Sequence, residues 1–144
     1  MTTFRTSRDI PASPDQVFAA FSDPQRLARW WGPAGFTNTF DICELESGGR
    51  WSFVMHGPDG QNYPNESVFA EVEPPRKVVV QHESAPKFRL TITLAPSAGG
   101  TTVSWAQTFE SAEIAGRIEH LVVPANEQNL DRLSAEVLGK PDGD

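Results

Sequence analysis

The sequence predicts an α+β fold, in which a meander of short antiparallel strands lies between two short helices near the start and a long helical segment at the end. Three observations predict it. Ser13-Pro14-Asp15-Gln16 and Asp23-Pro24 each place a capping side chain directly before a proline, as helix starts do. From Thr37 to Phe109, short stretches alternate apolar and polar residues and are separated by Gly and Pro, the pattern of paired strands. After Ser111 the apolar spacing lengthens to that of a helix.

Taken in order, residues 4–10 form a first strand with Phe4 and Ile10 as its apolar anchors. Ser13 caps the first helix and Gln16 completes a capping box, so Val17, Phe18 and Phe21 turn inward. Asp23-Pro24 opens a second short helix carrying Leu27, Trp30 and Trp31, and Gly32-Pro33 ends it. Trp30 and Leu27 pin these helices to the sheet; a lid over a cavity mouth is the other reading of Trp30-Trp31.

Strands are predicted over 37–46, 50–56, 65–73, 78–83, 88–95 and 101–109. The pair Gly48-Gly49 and the cluster Gly57-Pro58-Asp59-Gly60 bend the chain on either side of the second of these. Ala98-Gly99-Gly100 supplies a hairpin turn. Residues 112–121 are helical in composition, and Pro124 opens a further helical segment to about Leu138, so that a kinked helix and two helices both satisfy the pattern. Asn126, Leu130, Leu133 and Val137 share one face of it. The tail from Gly139 lacks apolar residues and is expected to fray.

A chain of 144 residues fits one domain with an ordered core over about residues 3–138, and burial of roughly 70% of the unfolded surface is normal at this length. Twelve Lys and Arg against 19 Asp and Glu give a net charge of -7, which repels phosphate backbones and anionic membranes. Nucleic acid and membrane are therefore not expected partners. Cys43 is the one cysteine, no basic segment followed by an apolar run opens the chain, and no apolar run approaches the roughly 20 residues of a membrane span. These features together predict a cytoplasmic protein.

Trp51, Phe53 and Met55 alternate with Arg50, Ser52 and Val54, and Trp105, Gln107 and Phe109 alternate with Ser104, Ala106 and Thr108. With Phe69, these inward residues suit either dense core or the wall of an apolar cavity. His82, in phase with Val78 and Val80, and Gln107 are the polar groups such a wall would carry; each needs a partner from protein, water or ligand. Asn126 and Asn129 lie on or beside the apolar face of the last helix, where they contact a bound molecule, cap the chain after Pro124 or face solvent.

The sequence holds no Gly-x-Ser-x-Gly elbow, no histidine close to Cys43, no paired zinc spacing among His56, His82 and His120, and no phosphate-binding Gly-rich loop. No metal or cofactor is expected.

The order of strand, two capped helices, six-strand meander and long C-terminal helix comes with Ser13-Pro14-Asp15-Gln16-Val17-Phe18, Asp23-Pro24 through Trp30-Trp31-Gly32-Pro33, Gly48-Gly49-Arg50-Trp51 and Gly57-Pro58-Asp59-Gly60. In this the chain resembles the START-like helix-grip superfamily (SRPBCC), and within it the branch named after the activator of the heat-shock-protein-90 ATPase. The resemblance implies a strongly bent sheet of about seven strands gripping the long helix, with an apolar cavity between them. It implies a binder of a small apolar or amphipathic molecule, as monomer or weak homodimer, lined by the candidates Trp51, Phe53, Met55, Phe69, His82, Trp105, Gln107, Phe109, Asn126 and Asn129. A cyclase-like or hydrolase-like enzyme using the same cavity, with His82 as acid or base, is the alternative. A chaperone-interaction module is the third.

Overall fold

The computed structural model describes residues 1–139. Strand β1 (Thr2–Ile10) leads into helices α1 (Pro14–Ser22) and α2 (Pro24–Trp30). Strands β2 (Thr37–Cys43), β3 (Arg50–His56), β4 (Asn62–Glu73), β5 (Lys77–His82), β6 (Phe88–Ser97) and β7 (Gly100–Phe109) follow, then the long helix α3 (Ala112–Val137). The strands form one curved antiparallel sheet in the order β1-β7-β6-β5-β4-β3-β2. The meander thus keeps sequence order, and β1 closes it by pairing with β7 from Thr2↔Phe109 to Ile10↔Thr101.

The predicted helix starts are present as hydrogen bonds. Ser13 Oγ accepts from the Gln16 amide at 3.2 Å while the Ser13 amide donates to Gln16 Oε1 at 2.8 Å, and Asp23 Oδ1 accepts from the Gln25 amide at 2.9 Å. Both helices send their apolar sides to the core, with Val17, Phe18, Ala20, Phe21, Leu27 and Trp30 all buried. Trp30 satisfies its indole N–H on the Ala20 carbonyl at 2.9 Å, locking the two helices together.

Several strand boundaries differ from the sequence expectation, and the larger shifts in β4 and β6 have a physical reason. β4 begins at Asn62 rather than 65 because residues 62–66 pair only with β3; Pro64, which has no N–H to donate, is tolerated where the strand has a single neighbour. β6 runs on to Ser97 in the same way, since beyond Thr93 it pairs only with β7. α3 is one helix through Pro124. The missing donor leaves the carbonyl of His120 without its helical partner, but both residues are exposed, so water can serve it. β2 stops at Cys43, short of the predicted 46; beyond it the Glu44 amide still bonds the Arg50 carbonyl at 2.9 Å, and a turn follows.

That turn depends on its glycines. Gly48 has φ +86°, and a Cβ at Gly49 would stand 2.0 Å from the Glu44 carbonyl oxygen. β-bulges interrupt the register between Phe40 and Ile42 and between Phe69 and Glu71. The core runs continuously from Ile10 and the short helices to Val78, Ile92, Leu94, Val103, Leu130 and Leu133.

On its flanks α3 is tied by charge. Glu136 receives Arg26 Nε and Arg29 Nε, each at 2.9 Å, and its carboxyl titrates below the usual range chiefly because of the Arg29 hydrogen bond. Arg8 on β1 reaches Asp131 at 2.6 Å and Glu127 at 3.3 Å, and Thr6 donates to the Glu127 carboxylate. Among the described residues no helix is long and apolar enough to cross a membrane. The tail predicted to fray lies, beyond Gly139 itself, outside the described residues.

Candidate functional site

The sheet and α3 do not meet along their whole length, and between them lies a cavity of about 410 Å³. Its floor follows from strand register. Trp51↔Ser67, Ser67↔His82 and His82↔Phe88 are direct cross-strand partners, so these four side chains form one row over β3, β4, β5 and β6, and all four line the cavity. Val80, Leu90 and Gln107 make a second row, and Phe53, Met55 and Trp105 complete the apolar floor. The turn Trp31-Gly32-Pro33 after α2 forms one wall, Tyr63 and Pro64 of β4 another, and Ala125, Asn126 and Asn129 of α3 cover the top.

Arg132 on α3 fixes the Trp31 turn. Its buried guanidinium donates to the main-chain carbonyls of Arg29 (2.7 Å), Trp31 (3.2 Å), Gly32 (3.1 Å), Pro33 (2.9 Å) and Phe36 (3.0 Å). Gly32 needs its φ of +98° here, and a Cβ on it would stand 2.7 Å from Met55 Cε. Trp31 lies between Trp51 and Trp105, with ring centroids 4.8 Å and 5.9 Å away.

His82 stacks on Phe88 with centroids 4.5 Å apart. Its Nδ1–H donates to the Pro86 carbonyl at 2.9 Å, and Nε2 lies 2.7 Å from Asn65 Oδ1 and 3.3 Å from Ser84 Oγ. Burial holds its pKa below the ordinary histidine value, against the opposing pull of the Pro86 and Ser84 backbone and of the Glu83 charge. On the opposite side Asn126 Nδ2 donates to Gln107 Oε1 at 3.1 Å, and Asn129 Nδ2 donates to the Trp30 carbonyl at 2.9 Å. Three buried polar atoms on lining residues have no hydrogen-bond partner: Trp51 Nε1, Trp105 Nε1 and Ser67 Oγ. Among the described residues no Lys, Arg, Asp or Glu lines the cavity. Among the described residues no group of His, Cys, Asp and Glu is arranged to hold a metal ion.

Of the residues singled out by sequence, Trp51, Phe53, Met55, His82, Trp105, Gln107, Asn126 and Asn129 meet at this cavity. Phe69 does not: it stacks behind Trp51 at 5.1 Å. Phe109 also lies elsewhere, packed on Phe88 and Phe4 and bordering a separate surface hollow with Ile114. Trp30 is core, whereas Trp31 faces the cavity. Sequence reasoning missed Ser67, Asn65, Tyr63 and Phe88. Ser67 stands in phase with Phe69, which was its available signal, but Asn65, Tyr63 and Phe88 are placed by pairing with neighbouring strands.

A curved antiparallel sheet that wraps a long C-terminal helix and leaves a lined cavity between them defines a helix-grip protein. A family model described as "Activator of Hsp90 ATPase homolog 1-like protein" matches residues 11–137, and the chain belongs to that family. Solved structures share the fold. A protein from Arthrobacter aurescens is 24% identical with a TM-score of 0.87, over 97% of this chain and 87% of that one. A Chromobacterium violaceum protein is 28% identical with a TM-score of 0.82, over 99% and 100%. The AHSA1 protein of Silicibacter pomeroyi is 23% identical with a TM-score of 0.76, over 95% and 98%. Comparison with curated proteins gave no match.

Proposed function

We propose that this protein binds a small apolar or amphipathic molecule in the cavity between the sheet and α3. The observation that carries the reading is the cavity itself: about 410 Å³, walled by Trp, Phe, Met and Leu side chains with a few convergent polar groups. Specific small-molecule sites are commonly of this size and composition. A ligand that binds only the folded chain raises its melting temperature by mass action. A panel of small aromatic and fatty compounds should therefore contain some that stabilise the protein, and Gln107→Leu or His82→Leu should change which ones do while leaving a cooperative melt. A broad panel without a stabilising member refutes the reading.

A second reading, an enzyme of cyclase or hydrolase type, is favoured by His82, whose lowered pKa keeps an imidazole neutral beside the cavity near pH 7. Turnover of a carbonyl or ester compound that follows a single titration and vanishes in His82→Leu would establish it. The family description refers to activation of the Hsp90 ATPase. A chaperone-binding role for this chain would use its outer surface, and substitutions at Gln107 and His82 would leave it intact.

A further inference from the structure

The two edges of the sheet are finished differently. At one end a bulge between Phe40 and Ile42 interrupts β2, and α2 leans on the strand, with Asn38 Nδ2 donating to the carbonyls of Ala28 at 3.0 Å and Trp31 at 2.9 Å. Bulges and covering elements are how natural sheets keep an edge from recruiting another strand. At the other end β1 has neither. It pairs with β7 in unbroken register from Thr2 to Ile10 and contains no Pro or Lys. Among the described residues no hydrogen bond beyond that ladder reaches the backbone of residues 2–9. Alternate residues of an edge strand aim both N–H and C=O away from the sheet, so β1 offers a regular row of unpaired donors and acceptors.

Its side chains narrow the choice of partner. The inward Arg8 is held by Glu127 and Asp131 of its own chain. On the outer face Arg5, Ser7 and Asp9 are exposed. Arg5 has no ion-pair or hydrogen-bond partner among the described residues, and Asp9 engages only Oδ1, which accepts from the Thr102 hydroxyl at 2.7 Å. With two arginines and one aspartate, β1 lacks the acidic excess that makes copies of this chain repel one another.

Register decides the match. Two copies of one edge hydrogen-bond only where residues of the same parity stand opposite, which puts the twofold axis through a residue. An axis through Arg5, Arg8 or Asp9 sets a charge against its own copy. Through Thr6 it sets Arg5 against Ser7, and no opposite charges meet. Axes nearer either end pair fewer residues. Through Ser7 it sets Arg5 of each copy directly against Asp9 of the other, on the outer face, where cross-strand partners of opposite charge attract.

We infer that β1 is a self-association edge, which pairs antiparallel with β1 of a second copy about a twofold axis at Ser7 and joins two seven-stranded sheets into one. Arg5 and Asp9 of each copy form its two ion pairs. The pairing spans residues 4–10 and buries less than the roughly 800 Å² per partner of a standard interface, so the dimer is weak, with a Kd of about 100 μM. No residue of β1 lines the cavity, and the inference does not rest on the binding role proposed above.

Sedimentation velocity on the full chain, from about 10 μM to about 1 mM, should show monomer giving way to dimer. Arg5→Asp and Asp9→Arg each set like charges opposite one another twice, so each should raise Kd about tenfold. In an equimolar mixture of the two variants every opposed pair is again unlike. The mixture should therefore regain a dimer that neither parent forms, which a variant that had merely failed to fold could not do. The axis is tested by cross-linking. Ser7→Cys places two thiols across the axis with Cα atoms about 5 Å apart, within disulfide reach, whereas Thr3→Cys leaves its two copies roughly 25 Å apart. Under mild oxidation the Ser7→Cys protein should form covalent dimer several-fold faster than the Thr3→Cys protein.

Monomer throughout the concentration range overturns the inference. A dimer indifferent to both charge reversals, or a mixture no more dimeric than its parents, shows that another surface associates. Equal cross-linking at positions 3 and 7 overturns the axis at Ser7.

Discussion

Arg132 Nη1 lies 3.2 Å from the carbonyl oxygen of Trp31, so a guanidinium on the long helix holds the turn that walls the cavity. With the carbonyls of Arg29, Gly32, Pro33 and Phe36 it gathers the chain between α2 and β2 around one cation. Removing it leaves several partly buried acceptors unpaired. Arg132→Met is expected to destabilise by about 3 kcal/mol, and Arg132→Lys by somewhat less because an ammonium cannot reproduce the planar fork. Denaturant melts measure both. A loss under about 0.5 kcal/mol for the Met variant would show that water replaces the guanidinium freely.

The buried tryptophans should differ. Trp51 is packed by Trp31, Phe40, Phe53 and Phe69 with centroids 4.5 to 5.6 Å away, whereas among the described residues Trp105 has only Trp31 as a close ring, at 5.9 Å. Trp51→Ala should therefore cost about 4 kcal/mol, near the usual value for a large core aromatic. Trp105→Ala should cost less, about 2 to 3 kcal/mol, because fewer aromatic rings pack against it. Equal losses in equilibrium unfolding would contradict this ordering.

Ser13→Ala removes one half of the capping box while Pro14 already lacks a donor, so a loss of about 1 kcal/mol is expected. Amide exchange at Gln16 and Val17 should accelerate more than exchange in β6 and β7. Unchanged exchange at those helix positions would mean that the cap contributes nothing.

Acid should weaken the fold through two groups. His82 has a folded pKa below its ordinary 6.5, so the unfolded chain takes up the proton first. Its contribution is complete above about pH 6.5 and declines as the pH falls below that value. Glu136, with a carboxyl pKa below 4.5, adds a second loss only below about pH 4.5. The melting temperature should fall between pH 7 and 5, and His82→Gln should flatten that fall without affecting the drop below 4.5. A variant that keeps the full slope between pH 7 and 5 would place the titration elsewhere.

Most of the fold could be read from residues because its signals are local. The caps at Ser13 and Asp23, the alternation around Trp51 and Trp105, and the face shared by Leu130 and Leu133 each lie within a few residues of one another. The extension of β4 through Pro64 could not, since only the absence of a neighbour on one side makes a proline acceptable there. The site was legible to the extent that inward phase along a strand is legible. Phase marks Phe69 and Trp51 alike as inward but does not say which lies in front. Arg132 gave no signal at all: a lone arginine amid polar residues of a helix reads as solvated, and its partners are carbonyls about a hundred residues earlier in the chain.

The bulge at Ala70 makes the cavity depend on a residue that does not line it. Before it, the odd positions Asn65, Ser67 and Phe69 point inward; after it, the even position Val72 packs against the core. The extra residue therefore inverts parity along β4. Deleting Ala70 would force one half of the strand out of phase, sending Val72 outward or replacing Ser67 and Phe69 by Glu66 and Val68. Exchanging Ala70 for another residue preserves the count. Along this strand, then, chain length constrains the ligand chamber more tightly than side-chain identity does: substitution at position 70 should be permitted where a deletion is not.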